Sequence, residues 1–373
     1  MHGLRVVQES GCEVIIVGKL RAGILGLNEQ GLRLIEAAVE TGLYEITAAA
    51  DRDPEALQAV AEKYACGGFE DFRRFVVQNS LDAIFVAAGL HVCEEHVKVA
   101  LKKRFHVLKM LPPALNCGQA AELLGVAQSE GVQYMVANRT RFCPGFERLK
   151  EYLETNDRGR IRLVTAWCYL PGLLDDARDR WLSDPQLAGG GVLLRNCYDL
   201  VDQIVLNFGI PQKVYALSTN NAPDRQQRLS LTEDTAVITM KYSDTLTASL
   251  IATRTFGPPQ RYLRLHHADG YISVSEDSFV ACDNRGKELE RSNFDRVESE
   301  SMLKMLTDFA AAITTHDKQK SEARRSIELD NMALIEAAYL SSRTSMPEEP
   351  GRILKIVGSE PSNIWTSAAK RII

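Results

Sequence analysis

Between Leu20 and about Arg139, short apolar runs alternate with segments whose apolar residues recur every three to four positions. Residues 20–26 read as a strand, 32–40 as a helix rich in Leu, Ile and Ala, and 44–50 as a second strand. Asp53 and Pro54 then open a helix, with Asp as its cap and Pro in its first turn. The stretch 81–88 is nearly continuously apolar, the mark of a parallel strand covered on both faces. A helix follows with Cys93, Val97, Ala100 and Leu101 on one side. The strand 106–110, the double proline 112–113, the helix 117–130 and the strand 133–137 complete the series. Such alternation predicts a Rossmann-type, doubly wound parallel sheet, class α/β.

The second half changes period. Residues 236–242 and 246–253 alternate apolar and polar positions around Ser243–Asp244, and 262–267 and 271–275 flank the hairpin signal Asp269–Gly270. Consecutive hairpins predict an open, mostly antiparallel sheet in a C-terminal α+β domain, covered by helices on one face. Helices are predicted near 301–314, with Met302, Met305, Phe309 and Ile313 in one core stripe, and near 327–342. The resulting division is an extension at 1–19, a Rossmann-type domain at 20–140, a second domain at 141–346 and a tail at 347–373. An apolar run at 14–17 forms a strand of its own within the extension.

Composition narrows the function classes. The chain has 373 residues, enough for two cores; 45% are hydrophobic and 25% charged, as in soluble globular proteins. With 44 basic and 49 acidic residues the net charge is −5, which argues against coating nucleic acid. No apolar run is long enough to span a bilayer, and the first residues lack a signal-peptide pattern. Eight dispersed cysteines without a C-x-x-C pair read as reduced thiols and point to the cytoplasm. His91, Cys93 and His96 have a ligand-like spacing, but Cys93 falls on the apolar helix stripe and no second ligand group accompanies it. No metal is expected.

Two registers compete for a phosphate-binding turn, 18–23 and 26–31. A dinucleotide fold carries an acid at the end of its second strand, about 20 residues beyond the glycine loop. Asp51 lies 20 residues past Gly31 and 28 past Gly23, which selects 26–31. There Gly26, Leu27, Asn28, Glu29, Gln30 and Gly31 form G-x-N-x-x-G, with Asn28 in place of a middle glycine. Asn tolerates positive φ better than most residues, yet its side chain fills space next to a pyrophosphate, and Glu29 adds negative charge. NAD (or NADP) is the cofactor this arrangement suggests, held weakly. Asp51 favours NAD, Arg52 beside it softens that preference, and Ala87, Ala88 and Gly89 after the third strand complete the site.

The segments Ala49-Ala-Asp-Arg-Asp-Pro54, 81–88, His106-Val-Leu-Lys-Met-Leu-Pro-Pro-Ala114, Asn138-Arg-Thr-Arg-Phe-Cys-Pro144, Trp181-Leu-Ser-Asp-Pro185, Gly189-Gly-Gly-Val-Leu-Leu194, 199–202 and Ala337-Ala-Tyr-Leu-Ser341 carry a resemblance. In order and spacing they resemble the glucose–fructose oxidoreductase, inositol dehydrogenase and rhizopine catabolism (Gfo/Idh/MocA) family, from about Leu20 to Met346. The resemblance implies an NAD(P)-dependent oxidoreductase of sugars, cyclitols and related polyols, and a dimer or tetramer built through the C-terminal sheet. It also implies a catalytic Lys from a Glu-Lys-Pro motif, and an Asp and a His after the triple glycine. Aligned on Pro112, the Glu and Lys positions hold Met110 and Leu111. Aligned on 189–191, the Asp and His positions hold Arg195 and Asp199. Leu111 transfers no proton, and Arg195 stays protonated.

The remaining acid/base candidates are Lys109, two residues before Leu111 on the same strand face, then Asp199 and Tyr198. Lys109 reads more simply as a strand lysine in an ion pair or reaching solvent. Asp199 reads more simply as the partner of Arg195, four residues before it. Arg139, Arg141, Arg178, Arg180 and Arg195 are candidates for an anionic ligand, or else solvated surface charge. Three functions follow: a ligand-binding or regulatory protein on a dehydrogenase scaffold, with a small sugar-like or anionic ligand and a protein partner; an active NAD(P)-dependent oxidoreductase with a relocated base; and a non-redox enzyme using the same cleft. The residues favour the first.

Overall fold

The computed structural model describes residues 18–155, 161–171, 181–220, 232–315 and 317–362, together with two short strands nearer the N-terminus. Two compact units emerge: 1–113 with 121–139 and 299–322, and 114–120 with 140–298 and 323–373. At the start of the first unit β1 (Leu4–Val7) and β2 (Glu13–Ile16) pair antiparallel. The main chain path then runs β3 (Leu20–Leu25), α1 (Glu29–Glu40), β4 (Tyr44–Ala50), α2 (Pro54–Tyr64), β5 (Gly67–Phe69), α3 (Phe72–Gln78), β6 (Ala83–Val86), α4 (Leu90–Lys102), β7 (His106–Met110), α5 (Cys117–Glu130) and β8 (Tyr134–Ala137). The six strands from β3 onward lie parallel in the order β5-β4-β3-β6-β7-β8. Order reverses beside β3, so its C-terminal edge is a topological switch point. As the sequence predicts, Asp53 caps α2 by accepting the N–H groups of Glu55 and Ala56, with Pro54 in the first turn.

The second unit contains α6 (Pro144–Thr155), β9 (Ile161–Tyr169), α7 (Pro185–Ala188), α8 (Val192–Asn196), α9 (Tyr198–Phe208), β10 (Lys213–Thr219), β11 (Thr235–Lys241), β12 (Thr247–Thr253), β13 (Gln260–His267), β14 (Gly270–Val274), β15 (Ser278–Asp283) and β16 (Glu288–Asn293). Its sheet has the order β10-β11-β12-β9-β13-β14-β15-β16, antiparallel throughout except where β12 meets β9. Period two is kept: Ala236, Ile238 and Met240 are buried on β11, and Ala248, Leu250 and Ala252 on β12. The opposite face leaves Leu217 at 56% exposure and Val237 at 39%.

Three further helices close the chain: α10 (Val297–Thr315), α11 (Lys318–Thr344) and α12 (Pro350–Ile356). Each of the two predicted late helices is longer than its apolar stripe, because polar turns extend both ends. α10 belongs to the first unit. The Tyr44 hydroxyl donates to the Leu306 carbonyl at 2.7 Å, and Phe309 lies 6.5 Å from Phe85 between ring centres. No helix among the described residues is long and apolar enough to cross a membrane.

α11 buries polar groups in its middle, among them Glu328, Asp330 and Asn331. The backbone N–H and hydroxyl of Ser362 both donate to the Asp330 carboxylate. Burial pushes the Asp330 carboxyl up to about 6. An acid whose pKa rises on folding holds its proton more tightly in the folded state, so stability falls as pH rises from its unfolded value, about 3.9, through about 6. The effect is on the order of 3 kcal/mol. Lowering the pH from about 7 to about 4 should therefore stabilise the parent chain relative to Asp330→Asn by that amount in urea melts. A pH-independent difference between the two would refute the assignment.

Candidate functional site

In the first unit, β3 ends at Leu25 and the chain turns at Gly26, whose φ of +99° lies in the left-handed region. A Cβ there would fall 2.3 Å from the Ala88 nitrogen, so only glycine allows the loop at 87–89 to come this close. Both Ala87 and Ala88 donate to the Leu25 carbonyl at 2.9 Å. At Gly31 a Cβ would meet the Gly26 carbonyl oxygen at 2.3 Å, so glycine also lets α1 descend onto the turn.

Asn28 departs from the expected positive φ. Its φ is −66° and it is the N-cap of α1: Oδ1 accepts the Gly31 N–H at 2.9 Å, and Nδ2 donates to the Ala87 carbonyl at 3.0 Å. Positive φ falls on Gly26 instead, because a capping side chain requires extended backbone. Glu29 reaches Arg33 one turn along, at 2.7 Å. Among the described residues, the N–H groups of Asn28, Glu29 and Gln30 have no protein acceptor. At the end of β4, the Asp51 carboxylate accepts the N–H groups of Leu27 at 2.5 Å and Asp53 at 2.9 Å. Arg52 lies over the Phe72 ring, 5.7 Å from its centre, and Gly89 is the N-cap of α4. A left-handed glycine, a helix start with open N–H groups and an acid on the next strand fit a dinucleotide pyrophosphate and its ribose.

The acid/base candidates are less accessible than their sequence positions suggest. Lys109 is 3% exposed, and its ammonium donates to the Met110 carbonyl at 2.8 Å. Cys93 is buried on the apolar side of α4, as its place in the stripe predicts.

In the second unit Arg195 and Asp199 do not pair. The helix breaks at Cys197 (φ −116°, ψ 3°), so the two residues sit on separate helices, α8 and α9, and the i, i+4 geometry is lost. Arg195 stacks on Trp181, 4.8 Å from its ring centre. Asp199, nearly buried, is ion-paired to Arg261 and accepts the Thr140 hydroxyl at 2.8 Å and the Leu200 N–H at 2.9 Å.

Tyr198 is fully buried and donates to Glu328 at 2.5 Å; burial, reinforced by Glu328, pushes its phenol well above the ordinary value. Arg141, read as an anion receptor, already holds two protein carboxylates. It meets Asp202 in a two-point pair at 2.8 and 2.5 Å and Glu328 at 2.7 Å. Burial works against its charge, but Asp202 and Glu328 raise its pKa further. Arg139 donates to Ser301 in the first unit at 3.0 Å. Arg178 and Arg180 lie outside the described residues.

Sequence reasoning missed Arg261, Thr140 and Glu328. A carboxylate inside the apolar stripe of α11 was a usable signal for Glu328, since a charge on a core face needs a buried partner. Nothing local marks Arg261.

Comparison with known proteins adds the lineage. Residues 20–138 match the family model described as oxidoreductase family, NAD-binding Rossmann fold, and 146–273 match the GFO/IDH/MocA C-terminal domain. D-xylose 1-dehydrogenase (NADP(+)) 2 of Haloferax volcanii is 27% identical over 343 residues, covering 88% of this chain and 98% of that protein. The scyllo-inositol 2-dehydrogenase (NADP(+)) IolU of Bacillus subtilis is 29% identical over 209 residues, 54% of this chain and 63% of that one. Among solved structures, levoglucosan dehydrogenase in complex with NADH and levoglucosan has a TM-score of 0.78 at 15% identity, covering 89% of this chain and 99% of that one. That last likeness is one of fold.

The Arg141 network gives a direct stability test. Arg141→Met leaves Asp202 and Glu328 buried without their cation and should cost about 3–5 kcal/mol in urea unfolding. Adding Asp202→Asn and Glu328→Gln should recover part of that loss. A cost below about 1 kcal/mol for Arg141→Met alone would mean that the pair is solvated.

Proposed function

The chain belongs to the Gfo/Idh/MocA family, and on that footing we propose that it binds a dinucleotide and a small sugar-like or anionic molecule without hydride transfer, as a ligand-binding or regulatory protein. One observation carries the reading: Asp199, where the resemblance places a catalytic histidine, is bound by Arg261 and Thr140. Leu111 and Arg195 stand at the other two acid/base positions. A proton from a substrate hydroxyl therefore has no open acceptor at the positions where the family resemblance puts one.

The N–H groups of Asn28, Glu29 and Gln30 hold the pyrophosphate, while Gly26, Leu27 and the backbone of Ala87, Ala88 and Gly89 shape its cradle. Asp51 accepts the adenosine ribose hydroxyls with its remaining lone pairs and repels a 2′-phosphate, so NAD is preferred to NADP. When bound, the nicotinamide supplies a hydride acceptor. Arg52 is drawn toward Phe72, which lessens its help to a 2′-phosphate. Arg139, Arg178, Arg180 and Arg195 remain the arginine candidates for an anionic ligand.

A second reading, an active oxidoreductase with a relocated base, is favoured by the near end-to-end likeness to a D-xylose dehydrogenase. In that case Lys109 is the candidate base. Calorimetry with NAD, NADH and NADP, followed by assays on aldoses and cyclitols, separates the two. The expected outcome is binding of NAD, lost in Asp51→Ala, with turnover absent until Leu111→Lys, Arg195→Asp and Asp199→His are combined. A positioned base is worth about 100- to 10,000-fold in rate. Turnover by the unmodified chain that disappears in Lys109→Met but persists in Asp199→Asn would establish the second reading.

A homo-oligomer completes the proposal. The face of the second sheet opposite its core carries Leu163, Leu217 and Val237, with Trp167 and Tyr262 stacked 6.3 Å apart. Apolar surface of this kind is a usual site of association. Seven cysteines among the described residues are free thiols, in keeping with the cytoplasm. Light scattering at micromolar concentration should give at least a dimer, and Leu217→Lys with Val237→Lys should shift it toward monomer; a monomeric parent chain would refute the assignment.

A further inference from the structure

A cavity of about 470 Å³ lies wholly within the second unit, and none of the nucleotide or acid/base residues discussed above lines it. Its size is that of small-molecule sites. One side is a single face of α11, on which Met332, Ile335, Glu336, Tyr339 and Arg343 succeed one another at helical spacing. Across from them stand Leu194 and Glu233. The wall is fixed: the Tyr339 hydroxyl donates to Glu233 at 2.9 Å and accepts the Leu194 N–H at 3.2 Å, while Glu233 accepts the Gly191 N–H at 2.7 Å.

Two charged side chains are left with open capacity. Glu336 takes the Cys117 N–H on Oε2 at 2.9 Å, which leaves Oε1 without a protein donor among the described residues. Arg343 has no protein acceptor among them. Seven residues apart on one helix, the two are separated by about 10 Å along its axis. Between them on this face of the helix stands Tyr339, and the apolar surface of Met332 and Ile335 continues beyond Glu336.

We propose that this cavity is a second ligand site, for a polyhydroxylated molecule with one terminal anionic group, a sugar carboxylate or a sugar phosphate. Hydroxyls donate to Glu336, C–H faces pack on the Tyr339 ring between the two charged groups, and the anion meets the Arg343 guanidinium, whose fork matches carboxylate and phosphate alike. A neutral sugar satisfies one end of the cavity, and a free inorganic anion the other.

Calorimetry on the full chain, with and without NAD, tests the site using gluconate, glucose 6-phosphate, glucose and inorganic phosphate as probes. Gluconate or glucose 6-phosphate should bind at least about 10-fold more tightly than glucose and than phosphate, and which of the two is tighter tells carboxylate from phosphate recognition. Arg343→Gln, at an exposed position, should weaken that binding about 10-fold or more, and Glu336→Gln should weaken it as well, with NAD affinity unchanged in both. The proposal is overturned if neither probe binds below about 10 mM, if glucose or phosphate binds as well as the acids, or if binding survives Arg343→Gln.

Discussion

Arg141 in the core of the second unit sets a constraint that the neighbouring elements obey. A guanidinium out of water is tolerated only with its charge matched and its donors engaged. Asp202 from α9 and Glu328 from α11 supply that match, and Tyr198 and Asn331 complete the network at Glu328 and Asp202. The turn at 139–142, α9 and α11 are thereby fixed in one arrangement. In the same arrangement Arg141 and Tyr198 each engage a buried partner.

Asp199 shows the same economy on a smaller scale. Where an open site would present a base, an arginine from β13 and a threonine from the turn after β8 close on the carboxylate. The nucleotide loop went the other way. Gly26 and Gly31 keep the tight turn and close helix approach of a dinucleotide fold, and Asn28 ties the cap of α1 to the 87–89 loop. The turn thus keeps its glycines, while Asp199 is held by protein partners.

What could be read from the sequence follows the range of the interactions. The parallel and antiparallel sheets were legible because strand period and turn residues are local, as at Asp53–Pro54 and Asp269–Gly270. Asp51 was legible because its distance from Gly31 is a property of the strand–helix–strand unit. The Arg195–Asp199 pair was misread because i, i+4 spacing assumes an unbroken helix, and Cys197 interrupts it. The partners of Arg141 escaped because they lie 61 and 187 residues away, beyond any local pattern.

The placement of α10 carries a consequence for synthesis. All six parallel strands of the first unit have been made once Ala137 leaves the ribosome, yet the surface around Tyr44 and Phe85 waits for Leu306 and Phe309. About 170 residues separate those events, roughly 10–30 s of translation at ordinary elongation rates. Throughout that interval the nascent sheet presents an aromatic face with no cover of its own, while a second sheet is assembled behind it. In the growing chain the cover of this sheet is therefore a late event, set by the place of α10 in the sequence.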